Sequence, residues 1–189
     1  MWKECVNLIN NKKDKTKEGL EQIVTIKSKV NLGLSNLLKI EFPNIKCLER
    51  PVYLPNNEPL NPDWVSGFIE GDGSFHIYIR PIKNNVTAVL SICLNIREKL
   101  LLIKIQDFFH GMGGVYISKS RSVVEWKVTK LSHLVTIASH FNSYPLMGLK
   151  SYNFFIWREI LSLIETKAHL TSEGLDKIKY LNNELNKWD

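Results

Sequence analysis

The sequence predicts an α+β fold: a four-stranded antiparallel sheet with helices on one face. Residues 74–80 and 86–95 alternate apolar and polar side chains, the period of half-buried strands. Residues 115–118 and 123–129 bracket the polar run Lys119-Ser120-Arg121-Ser122 as a hairpin. Helical patterns precede, separate and follow these pairs, so the order is helix, two strands, helix, two strands, helices.

The chain opens on one half of an internal repeat. Trp2 to Ile23 aligns without a gap on Trp157 to Ile178. The pairs Trp2/Trp157, Leu8/Leu163, Lys12/Lys167, Thr16/Thr171, Gly19/Gly174 and Ile23/Ile178 are among the identities. Both copies read as a helix end, a polar turn and a second helix capped by threonine. Three segments follow. Residues 1–41 hold only the C-terminal helices of a preceding unit. Residues 42–60, with Pro43, Pro51, Pro55 and Pro59, form an extended connector. Residues 61–189 hold one complete unit. A truncated or split reading frame and a shortened protein with a changed task both account for this.

The complete unit begins with Asn61 as N-cap, Pro62 at the first helical position and Asp63 in the first turn. Trp64, Val65, Phe68 and Ile69 then recur at helical spacing. Ser66 and Gly67 are small and mid-helix, which costs stability unless another backbone comes close. The helix ends in Glu70-Gly71-Asp72-Gly73, directly before a strand. A carboxylate at a helix C-terminus meets the unfavourable end of the dipole, and a cation there would offset it. On the first strand Phe75, Ile77 and Ile79 take one face; Ser74, His76, Tyr78 and Arg80 take the other. A turn at 81–85 carries Lys83. On the second strand Thr87, Val89, Ser91, Cys93 and Asn95 lie opposite Val86, Ala88, Leu90, Ile92 and Leu94. Residues 100–110 read as an amphipathic helix ending at Gly111, and 131–141 as another. Tyr144 to Ser151 is a loop, followed by a long apolar helix over 152–164.

Val65 to Gly73, VSGFIEGDG, resembles the nine-residue signature of the LAGLIDADG homing endonucleases. The chain as a whole resembles the C-terminal half of a double-motif member. The resemblance implies a saddle-shaped sheet and site-specific cleavage of double-stranded DNA by an intron-encoded enzyme. It implies a divalent cofactor, Mg²⁺, held by Asp72 and the Gly71 carbonyl. It makes Ser66 and Gly67 the helix interface to a second LAGLIDADG unit, from a homodimer or a separate N-terminal half. Lys150, closing a Pro-Leu-x-Gly-x-Lys loop, falls where relatives keep a lysine near the scissile phosphate. Asn95 falls where relatives usually hold glutamine beside the active site, and the shorter amide is a departure. Ser74, His76, Tyr78, Arg80, Lys83, Thr87, Tyr116, Lys119, Arg121 and Lys127 would form the DNA-binding face. Simple solvation of that face, and an Asp72 that only caps a turn, are the plainer readings.

Some relatives are maturases, so a non-cleaving RNA-binding role on intron or ribosomal RNA is the alternative. Composition fits either. The formal net charge is +6, which suits a polyanion partner without proving one. Three cysteines, Cys5, Cys47 and Cys93, show neither a disulfide framework nor zinc-ligand spacing. No apolar run approaches membrane-spanning length, so no membrane partner is expected. A Lys-, Asn- and Ile-rich composition suggests an AT-rich genome. With the resemblance, it points to a mitochondrion or other organelle.

Overall fold

The computed structural model describes residues 2–30, 33–49, 58–80 and 85–187. The chain divides into two units, Met1–Tyr53 and Leu54–Asp189. Lys83 and residues 50–57 of the proline-rich connector lie outside the described residues.

The first unit is helical: α1 (Trp2–Asn10), α2 (Lys17–Lys27) and the short α3 (Asn36–Glu41). Its buried side chains are few, chiefly Val24, Ile26 and Leu34, while Trp2, Val6, Ile9, Leu37 and Ile40 are exposed. The second unit holds α4 (Pro62–Asp72), β1 (Gly73–Arg80), β2 (Asn85–Asn95), α5 (Lys99–Phe108), β3 (Gly114–Ser118), β4 (Val123–Val128), α6 (Leu131–Ser143), α7 (Lys150–Glu165) and α8 (Ser172–Glu184). Its four strands are antiparallel in the order β1-β2-β4-β3.

The helices cover the sheet face that carries Phe75, Ile77, Ala88, Leu90, Ile92, Val124, Trp126 and Val128, all buried. Val65 and Ile69 of α4, Ile105 of α5, Ile137 of α6 and Trp157 and Ile160 of α7 complete this core. Phe75 is its hub, with the Trp157 ring 5.0 Å away and the Phe154 ring at 5.7 Å. Removing this apolar surface from water is the main favourable contribution to the fold.

The repeated turns have the same local structure. Lys12 and Lys167 both take left-handed φ, 55° and 60°. Thr16 and Thr171 each accept a bond from the glycine amide three residues on, at 3.1 Å. A Cβ on Gly19 or Gly174 would lie 2.0 or 2.1 Å from the carbonyl oxygen of Lys13 or Ala168. Packing differs between the copies. Trp157 is fully buried, whereas its counterpart Trp2 is 71% exposed.

α4 ends at Asp72, directly before β1, as the sequence predicts, so the acids lie inside its last turn. Two other boundaries depart from the sequence expectation. α7 starts at Lys150 rather than Tyr152, which puts the lysine in its first turn. α5 stops at Phe108, where His110 and Gly111 take positive φ of 53° and 75° and reverse the chain.

Candidate active site and nucleic-acid interface

Asn61 builds the start of the signature helix: its Oδ1 accepts from Trp64 N at 3.1 Å. The helix ends against the sheet with no spare residue. Gly73 begins β1 and has no room for a side chain, since a Cβ would stand 2.6 Å from the Ile69 carbonyl oxygen. Asp72 is therefore fixed at the junction, exposed, one residue from a strand. Among the described residues no side chain bonds its carboxylate and no three His, Cys, Asp or Glu groups gather as a metal site.

Lys150 meets this junction. Its ammonium donates to the carbonyl oxygens of Gly73, at 2.6 Å, and Gly71, at 3.3 Å. Glu70, half-buried, accepts the backbone N–H of Lys150 through Oε1 at 3.2 Å. Its other oxygen is buried with no hydrogen-bond partner. Gly148 lies against this carboxylate: a Cβ there would be 2.6 Å from Glu70 Oε1, and the Glu70 side chain would have to shift. No sequence argument found Glu70. Its spacing from Gly148 and Lys150 hides the contact, and only the small residue inside the Pro-Leu-x-Gly-x-Lys loop hints at it.

Asn95 ends β2 three residues beyond Ile92, which pairs with Gly73, so it lies at the same end of the sheet as Asp72. Its Oδ1 accepts from Arg97 N at 3.2 Å, which ties up part of the amide in capping a short 3₁₀ turn.

Ser66 departs from its expected role. The helix turns it into the protein, where it is 3% exposed. Its hydroxyl donates to the Tyr144 carbonyl at 2.7 Å, and its free lone pair then accepts from Nε2–H of His140 at 3.0 Å. A serine held by α6 presents nothing to a partner helix. Gly67 does lie on the open side of α4, and so does Gly71; a Cβ on either would touch nothing within 4 Å. Trp64, 44% exposed and stacked on Phe68 at 5.0 Å, flanks them.

His140 sits among the rings of Phe108, Phe109, Phe141 and Tyr144, at 5.0–5.5 Å. Burial holds its pKa below the ordinary histidine value, against the opposing pull of a hydrogen bond to the Pro62 carbonyl and the charge of Asp63.

The sheet face away from the helices carries Ser74, His76, Tyr78 and Arg80 from β1, Thr87 from β2, Tyr116 from β3 and Lys127 from β4. Lys119 and Arg121 occupy the β3–β4 turn, where Arg121 Nε donates to Ser118 Oγ at 3.4 Å. This face is less open at its centre than alternation suggests. Val89 is 1% and Ser91 7% exposed, although both point this way. Larger neighbours cover them: Ser74 bonds His76 at 2.8 Å, His76 stacks on Tyr78, and Lys127 reaches across from β4 to within 5.9 Å of the Tyr78 ring centre. A short side chain between long ones loses its solvent.

A model of the LAGLIDADG endonuclease family matches residues 65–161, from α4 into α7. The chain belongs to that family. It is 36% identical over 186 residues to a probable intron-encoded endonuclease 3 of Neurospora crassa, a match covering 96% of this chain and 35% of that protein. It is 26% identical over 171 residues to a cox1 intron-2 protein of Schizosaccharomyces pombe, covering 86% of this chain and 52% of the other. Among solved structures, the LAGLIDADG homing endonuclease I-SmaMI bound to cleaved DNA superposes with a TM-score of 0.88 at 30% identity, covering 98% of this chain and 63% of that one. I-SmaMI is also known on uncleaved DNA in the presence of calcium ions. The chain thus spans about a third to a half of the length of these curated relatives. The α+β architecture of this LAGLIDADG unit is that of the family.

Proposed function

We propose that this LAGLIDADG chain forms one half of a site-specific double-stranded DNA endonuclease of the homing type, encoded within an intron. The observation that carries the reading is the combination of three features on one sheet. These are an exposed acid, Asp72; a lysine, Lys150, anchored on its flanking carbonyls; and a face lined with Arg80, Arg121, Lys127 and two tyrosines.

In this reading the duplex lies along the open face. Arg80, Lys119, Arg121 and Lys127 contact phosphates or guanine edges, and His76, Tyr78, Thr87 and Tyr116 contact bases. Asp72 and the Gly71 carbonyl, one lone pair of which takes the Lys150 ammonium, are the oxygen donors this chain offers to a divalent cation, and Mg²⁺ suits such a hard, oxygen-only set. The fit is partial: one free carboxylate makes half of a site. When bound, the cation supplies charge neutralisation at the attacked phosphate and acidifies a water. Lys150 adds positive charge beside the same phosphate, where the negative charge of the transition state grows. Asn95 can hold a water through the amide group its cap leaves free. A second carboxylate comes from a second LAGLIDADG unit, whose signature helix packs on the Gly67 and Gly71 side of α4. The cox1-intron relative supports an organellar, mitochondrial gene.

Incubation of a library of long duplexes with Mg²⁺ tests this, with the chain alone and with a supplied first LAGLIDADG unit. Cleavage is expected in the paired reaction and should vanish on chelation. No cutting in either reaction by folded protein overturns the reading. Tight RNA binding that survives D72N, without cutting, would assign the maturase role instead.

A further inference from the structure

We infer that Glu70 is a positioning residue for cleavage: it seats the start of α7 on the end of α4 and so holds Lys150 and Asp72 in one fixed arrangement. The inference rests on the endonuclease reading above.

Each of the two charges is placed badly for its own helix. Glu70 lies in the last turn of α4, where the exposed carbonyls disfavour an anion. Lys150 lies in the first turn of α7, where the free amides disfavour a cation. Each is placed well for the other helix. The Glu70 carboxylate accepts the first amide of α7. The Lys150 ammonium donates to the Gly71 carbonyl in the last turn of α4 and to the carbonyl of Gly73, the first residue of β1. The exchange satisfies orphan groups at both ends at once. It also works in only one register, since a shift of either helix breaks both contacts.

Two further facts bear on how the carboxylate is held. One Glu70 oxygen is buried without a partner, which is unfavourable in itself. Position 148 has no side chain, which is what the carboxylate needs to lie where it does. Asp72 stands between the two carbonyls the ammonium holds. Fixing those carbonyls fixes the backbone that carries the acid. Glu70 bonds the Lys150 amide, so in the proposed function it acts through Lys150 and Asp72.

The experiment measures single-turnover cleavage by the chain paired with its supplied first unit, for wild type, E70A, E70Q, G148A and E70A/G148A. E70A and G148A are expected to slow the rate constant by about 10- to 100-fold. Duplex Kd should stay within about threefold and the reaction amplitude should hold. A merely destabilised enzyme would instead lose amplitude and keep its rate constant. Because the two sites share one contact, the double variant should be no slower than the slower single. E70Q keeps the volume if E70A does not fold, and is expected to be at least about fivefold slow. Wild-type rate constants for E70A and G148A, or additive losses, overturn the inference. If no pairing cleaves, the endonuclease reading falls and the clasp is read alone, by hydrogen exchange at the Lys150 amide. E70A should then speed that exchange at least tenfold, and unchanged exchange refutes the role of Glu70.

Discussion

Asp72 and Ser66 lie within two turns of one helix and do opposite work. Asp72 is exposed at the negative end of α4, so it lowers stability slightly, and in the proposed function it is the residue that binds the cation. D72N should therefore raise the melting temperature by the equivalent of about 0.3–1 kcal/mol while abolishing cleavage in the paired assay. A lower melting temperature would show instead that the carboxylate is a structural cap. Ser66 is the reverse. S66A leaves the Tyr144 carbonyl and the His140 N–H without their partner in a buried place, and should cost about 1–3 kcal/mol in denaturant unfolding. His140 adds a pH dependence of definite sign. Its folded pKa is depressed by burial, so between that value and the ordinary 6.5 the unfolded chain binds more protons. Its contribution is complete above about pH 6.5 and is lost as pH falls below it. Melting curves at pH 7.5 and 5.5 check this: wild type should lose more stability across the interval than H140Q does, and equal losses would remove His140 from the account.

At the level of elements, the periodicity of the sequence disclosed the strands, and partner geometry decided the helix ends. Strands β1, β2 and β4 fall within a residue of where alternation puts them, because period two is hard to imitate in a half-buried sheet. The start of α7 was not legible, and neither was the contact that joins it to the end of α4. Glu70 and Lys150 each look misplaced on its own helix, and only their contact across 80 residues makes both placements favourable. Ser66 misled for a related reason. A small polar residue on a signature helix is compatible with a helix interface, and nothing in the local sequence reveals a histidine 74 residues away as its partner. The repeat fared better, since Thr16 and Thr171 cap and Gly19 and Gly174 clear the turn by contacts that are themselves local. Gly67 gives this scale its prediction. It faces open space, so G67A should stabilise the chain alone by about 0.5–1 kcal/mol through helix propensity. If a second signature helix packs there, the same methyl should weaken association with the supplied unit. Gain in one measurement and loss in the other is the expected pattern; an unchanged association constant would move the pairing surface elsewhere.

For the whole molecule, charge and covering determine what the open face offers to the duplex of the proposed function. Alternation along β1 and β2 predicted which residues point there, but not that Val89 and Ser91 would be covered, because side-chain reach across strands is invisible to a period-two pattern. The result is a surface whose centre is an ordered layer, Ser74 to His76 to Tyr78 to Lys127, rather than a set of independent solvated groups. Arg121 and Lys127 therefore separate in their effects. Arg121 stands in an exposed turn with one long hydrogen bond to Ser118, so R121A should weaken duplex binding alike for all sequences and reduce the slope of log K against log salt by about one. Lys127 also holds the Tyr78 ring. K127A removes a charge and frees that ring as well, so it should lower the salt slope by a similar amount and also loosen discrimination among bases near Tyr78. Titration of a binding-site library at two salt concentrations distinguishes them. Parallel losses for K127A across every sequence would mean that the layer over Val89 is only packing, and that the tyrosine reads nothing.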